Sequence, residues 1–81
     1  MVRPLKDRVL HLLHNLAAVN PGNAKSVTEL SQLTQEQSET IQNLLKEEET
    51  SGHVKSLKEG NAEARYFLTG LGILRAASML T

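Results

Sequence analysis

The residues Ser26-Val27-Thr28-Glu29-Leu30-Ser31-Gln32-Leu33-Thr34, followed by Thr40-Ile41-Gln42-Asn43-Leu44-Leu45-Lys46 and closed by Ser51-Gly52-His53-Val54, decide the fold of this chain. Ser26 and Glu29 have the spacing of a capping box, in which the serine accepts from a first-turn amide and the glutamate reaches back to the serine's own N–H. Val27, Leu30 and Leu33 then supply the buried side of a short helix over 27–33. A second box, Thr34 to Gln37, follows at once and predicts a new helix over 35–49, with Ile41, Leu44 and Leu45 on its core face. Two caps in succession without a glycine linker imply a sharp change of direction near Thr34. Ser51-Gly52 ends the second of these helices.

Outward from this corner the pattern is equally directional. Pro4 suits the first turn of a helix because its missing N–H would have no partner there. Leu5, Val9, Leu12, Leu13, Leu16 and Val19 continue at helical spacing and predict a first helix over 4–19, ended by Asn20-Pro21-Gly22-Asn23. Beyond Gly52, His53 to Leu57 and Ala64 to Thr69 carry β-branched and aromatic residues, and Gly60-Asn61 between them suits a hairpin turn. A two-stranded hairpin is expected over 53–69, with Tyr66 and Leu68 on one face and Arg65 and Phe67 on the other. Thr69 caps a last helix over 70–80 that is apolar nearly all round, with Arg75 its only charge.

Composition narrows the class. The 81 residues form one domain over 1–81, near the lower size limit for an independent core. Nine basic and nine acidic residues balance, so no net field draws the molecule to a polyanion. The absence of cysteine removes disulfides and thiolate chemistry. The early charges Arg3, Lys6, Asp7 and Arg8 do not suit a secretory segment, and no apolar run has the length of a membrane span. A soluble, cytoplasmic protein is the expectation. With Tyr66 and Phe67 its only aromatics, the chain lacks the stacking platforms of single-strand binders.

With this order in view, the chain resembles the winged helix-turn-helix regulators of bacteria and archaea, of the MarR-like and PadR-like kind. The likeness runs from Val9 to Leu80. It is carried by Glu29-Leu30, Thr40-Ile41, Leu45-Lys46, Ser51-Gly52-His53-Val54 and the stretch from Tyr66 to Gly72. The fold implied is mainly α with a small β-hairpin, in the order helix, a short optional strand, helix, helix, strand, strand, helix. The resemblance implies sequence-specific binding of double-stranded DNA in transcription regulation, with the third helix in the major groove and the hairpin along the backbone.

Two departures stand out. The family usually places an apolar residue where this chain has Glu48, which is expected to lie on a frayed last turn or to pair with a cation such as Lys55 or Arg65. Between residues 35 and 49, Lys46 faces Glu36, Glu39, Glu47, Glu48 and Glu49, a local charge of about −4. A groove-reading helix usually carries cations, because phosphate neutralisation supplies most of the affinity.

The candidate contact residues are Ser38, Glu39, Gln42, Asn43 and Lys46 on the third helix, with Thr50 below them. Amide side chains pair with adenine, a carboxylate accepts from cytosine, and a serine near a helix start suits a phosphate. Lys55, Lys58 and Arg65 are the candidates on the hairpin, where Glu59 and Glu63 partly cancel their field. Set against this is a plain solvated polar face. Leu71, Ile73, Leu74, Ala77 and Leu80, with Ala76 and Met79 nearby, are expected to leave an apolar stripe that joins the first helix in making a two-fold homodimer. His11 and His14 are too few for a zinc site and are expected to face solvent. No nucleophile constellation or phosphate loop is present, so neither an enzyme nor a cofactor is expected. The alternative function is a protein-interaction winged helix in a larger assembly, whose acidic third helix meets a basic partner. The small interior offers no obvious effector pocket.

Overall fold

A computed structural model describes residues 4–78. Helix α1 spans Leu5–Asn15, strand β1 Lys25–Ser26, helix α2 Val27–Thr34, helix α3 Ser38–Thr50, strand β2 Val54–Leu57, strand β3 Arg65–Leu68 and helix α4 Gly70–Ser78. The three strands form an antiparallel sheet in the order β1-β3-β2. This is the winged helix-turn-helix arrangement, with β2 and β3 as the wing. Val9, Leu10, Leu13, Ala18, Leu30, Ile41, Leu45, Val54, Leu68 and Ala76 form the centre of the core.

The first helix ends four residues before the expected Val19. Leu16 is its C-cap and Ala17 adopts a left-handed φ of 57°. The Ala17 N–H donates to His14 O (3.1 Å) and the Ala18 N–H to Leu13 O (2.9 Å), the paired bonds of a Schellman close. The early stop has a tertiary cause: Ala18 is fully buried and its carbonyl accepts from the Leu68 N–H of β3 at 2.7 Å. Leu16 and Val19 still pack against the core, from outside the helix.

The capping box of α2 forms as read. The Glu29 N–H donates to Ser26 Oγ (3.1 Å), and the Ser26 N–H to Glu29 Oε1 (3.4 Å). The second expected box does not form. Thr34 belongs to α2, where its hydroxyl donates to Leu30 O at 2.8 Å. Gln35 turns left-handed (φ 59°), and α3 starts three residues later than expected, with Gln37 as an N-cap lacking a side-chain bond. The corner itself is present and is gripped from α1: Arg8 donates to Thr34 O (3.4 Å) and lies 3.8 Å from Glu36. Leu33 corrects a further expectation. The buried face of α2 passes through Val27, Leu30, Ser31 and Thr34, and Leu33 is 57% exposed.

Along the wing, Val54, Tyr66 and Leu68 face inward. The cross-strand pairs Lys55–Phe67 and Leu57–Arg65 therefore lie on the outer face. Helix α4 approaches the wing base so closely that a Cβ on Gly72 would come within 1.9 Å of the His53 carbonyl oxygen.

Candidate nucleic-acid interface

Ile41 and Leu45 anchor α3 in the core, with Leu44 partly buried beside them. The helical repeat then turns Ser38, Glu39, Gln42, Asn43 and Lys46 outward, and all five are exposed. Ser38 Oγ donates to Ser31 Oγ at 3.4 Å, which ties the start of α3 to α2. Among the described residues, the side chains of Glu39, Gln42, Asn43 and Lys46 take part in no hydrogen bond or ion pair. Donors and acceptors of this face are thus free for an external partner.

The distribution of acids differs from the linear count. Glu48 is neither frayed nor paired with Lys55 or Arg65. It is 3% exposed on the core stripe of α3, and its Oε1 lies 2.9 Å from His53 Nδ1. Glu49 turns to the wing, where its Oε2 accepts from the Ser56 hydroxyl (2.7 Å) and the Ser56 N–H (3.2 Å). Glu36 faces Arg8 of α1. Only Glu39 and Glu47 of these five carboxylates lack an internal partner among the described residues, and they flank Lys46.

The wing presents Lys55 and Lys58 to solvent. Arg65 is half-buried on the same outer face as Lys55, its guanidinium 3.9 Å from Glu59. An exposed pair at this distance contributes little and leaves Arg65 able to change partner. Glu63 is drawn away from the wing surface: Oε1 accepts from the Thr28 N–H and hydroxyl, both at 3.0 Å. The wing is consequently pinned to α2 by Glu63, to α3 by Glu49 and to β1 by strand pairing. Burial raises the Tyr66 phenol above its ordinary 10.0, with a further push from the Glu49 charge.

The apolar face of α4 differs in detail from the expected set. Ala76 is fully buried and Ile73 partly so, while Leu71 (55%), Leu74 (69%) and Ala77 are exposed. Gly72 and Ala76 face the core with Ile73 packed against it, and Leu71 and Leu74 face outward; Met79 and Leu80 lie outside the described residues. His11 and His14 are half-buried rather than solvent-facing, and no group of three or more metal-ligating side chains occurs among the described residues. An open groove of about 250 Å³ lies beside them, lined by Arg8, His11, Leu12, Asn15, Leu33 and Thr34. No described helix is long and apolar enough to cross a membrane.

The residue that sequence reasoning undervalued is His53. Its signal was available, as an acid on a core stripe with a histidine five residues later, just past the helix-ending Gly52.

No protein-family profile matches the chain, and no curated protein matches it. Solved structures do share its fold. A candidate DNA-binding protein from Ralstonia eutropha JMP134 superimposes with a TM-score of 0.82 at 18% identity over 100% of both chains. MepR of Staphylococcus aureus, determined in complex with DNA, gives 0.76 at 16% identity, with 98% of this chain covering 62% of MepR. The DNA-binding TubR fragment from Clostridium botulinum gives 0.75 at 16% identity, over 98% of this chain and 99% of the fragment.

Proposed function

We propose that this winged helix is a small cytoplasmic transcription regulator that binds duplex DNA sequence-specifically. Its α3 enters the major groove and its wing lies along the backbone. One observation carries the reading: the face of α3 bearing Gln42, Asn43 and Lys46 makes no internal bond, and Glu48 and Glu49 are turned away to other partners. Exposed Lys55 and Lys58, with Arg65, supply cations on the adjoining hairpin. The DNA-bound MepR neighbour supports the same reading.

In this assignment Ser38 takes a phosphate, Asn43 and Gln42 read base edges, Lys46 serves either, and Glu39 accepts from a cytosine amino group. Two copies join through the outward face of α4, where Leu71, Leu74, Ala77 and the partly buried Ile73 supply the contact. Joining doubles the number of phosphates neutralised and matches two half-sites.

The test is an anisotropy titration against duplex DNA at two salt concentrations. Three wing cations per copy, six per dimer, predict a loss of affinity of about 10³ between 50 and 200 mM salt. Alanine at Lys55, Lys58 and Arg65 together weakens binding to all sequences alike. Asn43→Ala costs about 1–3 kcal/mol at one base position only. Binding that is absent, or indifferent to salt, refutes the proposal. Sedimentation of Leu71→Glu/Leu74→Glu against the unchanged chain tests the dimer, and equal masses refute it.

A further inference from the structure

Glu48 occupies the one position on the core stripe of α3 where a carboxylate has no packing reason to be. Ile41 and Leu45 on the same stripe are fully buried, and Glu48 is only 3% exposed. Burying a carboxylate with a polar partner seldom adds stability over an apolar residue of similar volume. Such a pair has to be understood by what it orients.

His53 is the residue through which three elements meet. Gly52, at a φ of 84°, lets the chain leave α3 by a Schellman close: the Gly52 N–H donates to Glu49 O (3.0 Å) and the His53 N–H to Glu48 O (2.9 Å). The His53 ring returns to the Glu48 carboxylate at 2.9 Å. Its carbonyl accepts from the Thr69 N–H at 3.0 Å, at the other foot of the wing. That oxygen is also the atom against which Gly72 of α4 packs. The Thr69 hydroxyl completes the knot by donating to Gly52 O while accepting from the Gly72 N–H.

We infer that Glu48 and His53 are positioning residues that set the angle between α3 and the wing, so that both surfaces meet one duplex at a fixed separation. This rests on the DNA-binding reading for its consequence, although the geometric claim concerns the free protein. The backbone close fixes the chain's direction at the Gly52 pivot, while Glu49 and Glu63 hold the hairpin further along its length. The ring-to-carboxylate bond adds a second attachment on the core side of that pivot. Both ends of the strut are then determined, one by the packing of α3 and the other by the foot of the wing. An apolar residue at 48 would fill the space without directing His53.

The decisive variant is Glu48→Leu, with His53→Asn as the conservative partner, since its side-chain amide keeps a donor near the place of Nδ1. Amide residual dipolar couplings are measured on the free chain for α3 and for β2–β3. The relative orientation of the two elements is the same in the unchanged protein and in His53→Asn, whereas it changes in Glu48→Leu, which retains its helical signal and melting temperature. In the DNA titration, Glu48→Leu lowers the salt slope by about 1 per copy as the wing loses a phosphate. His53→Asn keeps the slope. The same relative orientation in Glu48→Leu as in the unchanged chain overturns the inference. Should Glu48→Leu not fold, Glu48→Met, which also lacks the carboxylate acceptor, reads the same quantity, and preserved orientation there overturns the inference. Failure of the unchanged chain to bind DNA would strike the function reading alone, because the couplings are measured without DNA.

Discussion

Gly72→Ala offers a quantitative test of how α4 is seated. The added Cβ would lie 1.9 Å from the His53 carbonyl oxygen, 2.9 Å from its carbon and 3.1 Å from Leu68 Cδ2. The first two are backbone atoms held by strand pairing and the Schellman close, so neither can rotate aside. Moving the oxygen contact out to even 3.0 Å requires α4 and the wing base to part by 1.1 Å. That separation strains the Thr69 N–H to His53 O bond and the packing of Ala76. Overpacking of this kind costs about 1–3 kcal/mol and a lost hydrogen bond about 1 more, for a total near 3 kcal/mol. A chain of this length has about 4–12 kcal/mol of stability, so the variant should remain measurable but melt about 12–24 °C lower. Urea denaturation followed by circular dichroism gives the number directly. Gly70→Ala is the internal control: nothing lies within 4 Å of its added Cβ, and in the first turn of α4 it should gain up to about 1 kcal/mol. A Gly72→Ala chain that loses less than about 1 kcal/mol, with an unchanged denaturant slope, would refute the close approach of α4 to His53.

Ala17 and Gln35 hold left-handed dihedrals without being glycine. Each should gain about 0.5–1 kcal/mol on replacement by glycine, the relieved backbone strain exceeding the added unfolded-state entropy, as thermal melts would show. Ser26→Ala removes the oxygen that accepts from the Glu29 N–H and should cost about 1 kcal/mol in the same assay. Because folding raises the Tyr66 pKa, the unfolded chain releases that proton first. Stability is therefore full below pH 10.0, falls as pH rises through the raised folded value, and loses this dependence in Tyr66→Phe.

The parts of the fold that were legible in the sequence are those fixed by neighbours in the chain. The Ser26–Glu29 box, the apolar face of α3, that of α1 apart from the fully buried Leu10, and the Gly52 exit each depend on residues within a turn or two of one another. What was not legible depended on distant atoms. Nothing near Ala17 announces a helix end, because the reason is the need of Leu68 for a carbonyl acceptor fifty residues later. Thr34 carries every local mark of an N-cap. The Arg8 contact across the corner is consistent instead with Thr34 closing α2 and Gln35 making the turn. Leu33 was assigned to the core by hydrophobicity, yet Ser31 and Thr34 take the buried positions because their hydroxyls bond back to Thr28 O and Leu30 O. A satisfied hydroxyl can be buried at little cost, which a hydrophobic pattern does not register.

The candidate site was legible as a list of exposed residues and illegible as a field. Summing charges from residue 35 to 49 treats a helix as a line, whereas the helical repeat sends each carboxylate in its own direction. Glu48 points inward to His53, Glu49 sideways to Ser56, and Glu36 back to Arg8, so only Glu39 and Glu47 remain near the outward face with Lys46. Carboxylates also fasten the wing, since the bonds from Glu49 and Glu63 attach it to α3 and α2. The acidic stretch from residue 35 to 49 is therefore not an evenly acidic surface, because three of its five carboxylates point away from the outward face. In a domain this small, where the apolar core is limited, these carboxylates supply attachments between elements instead.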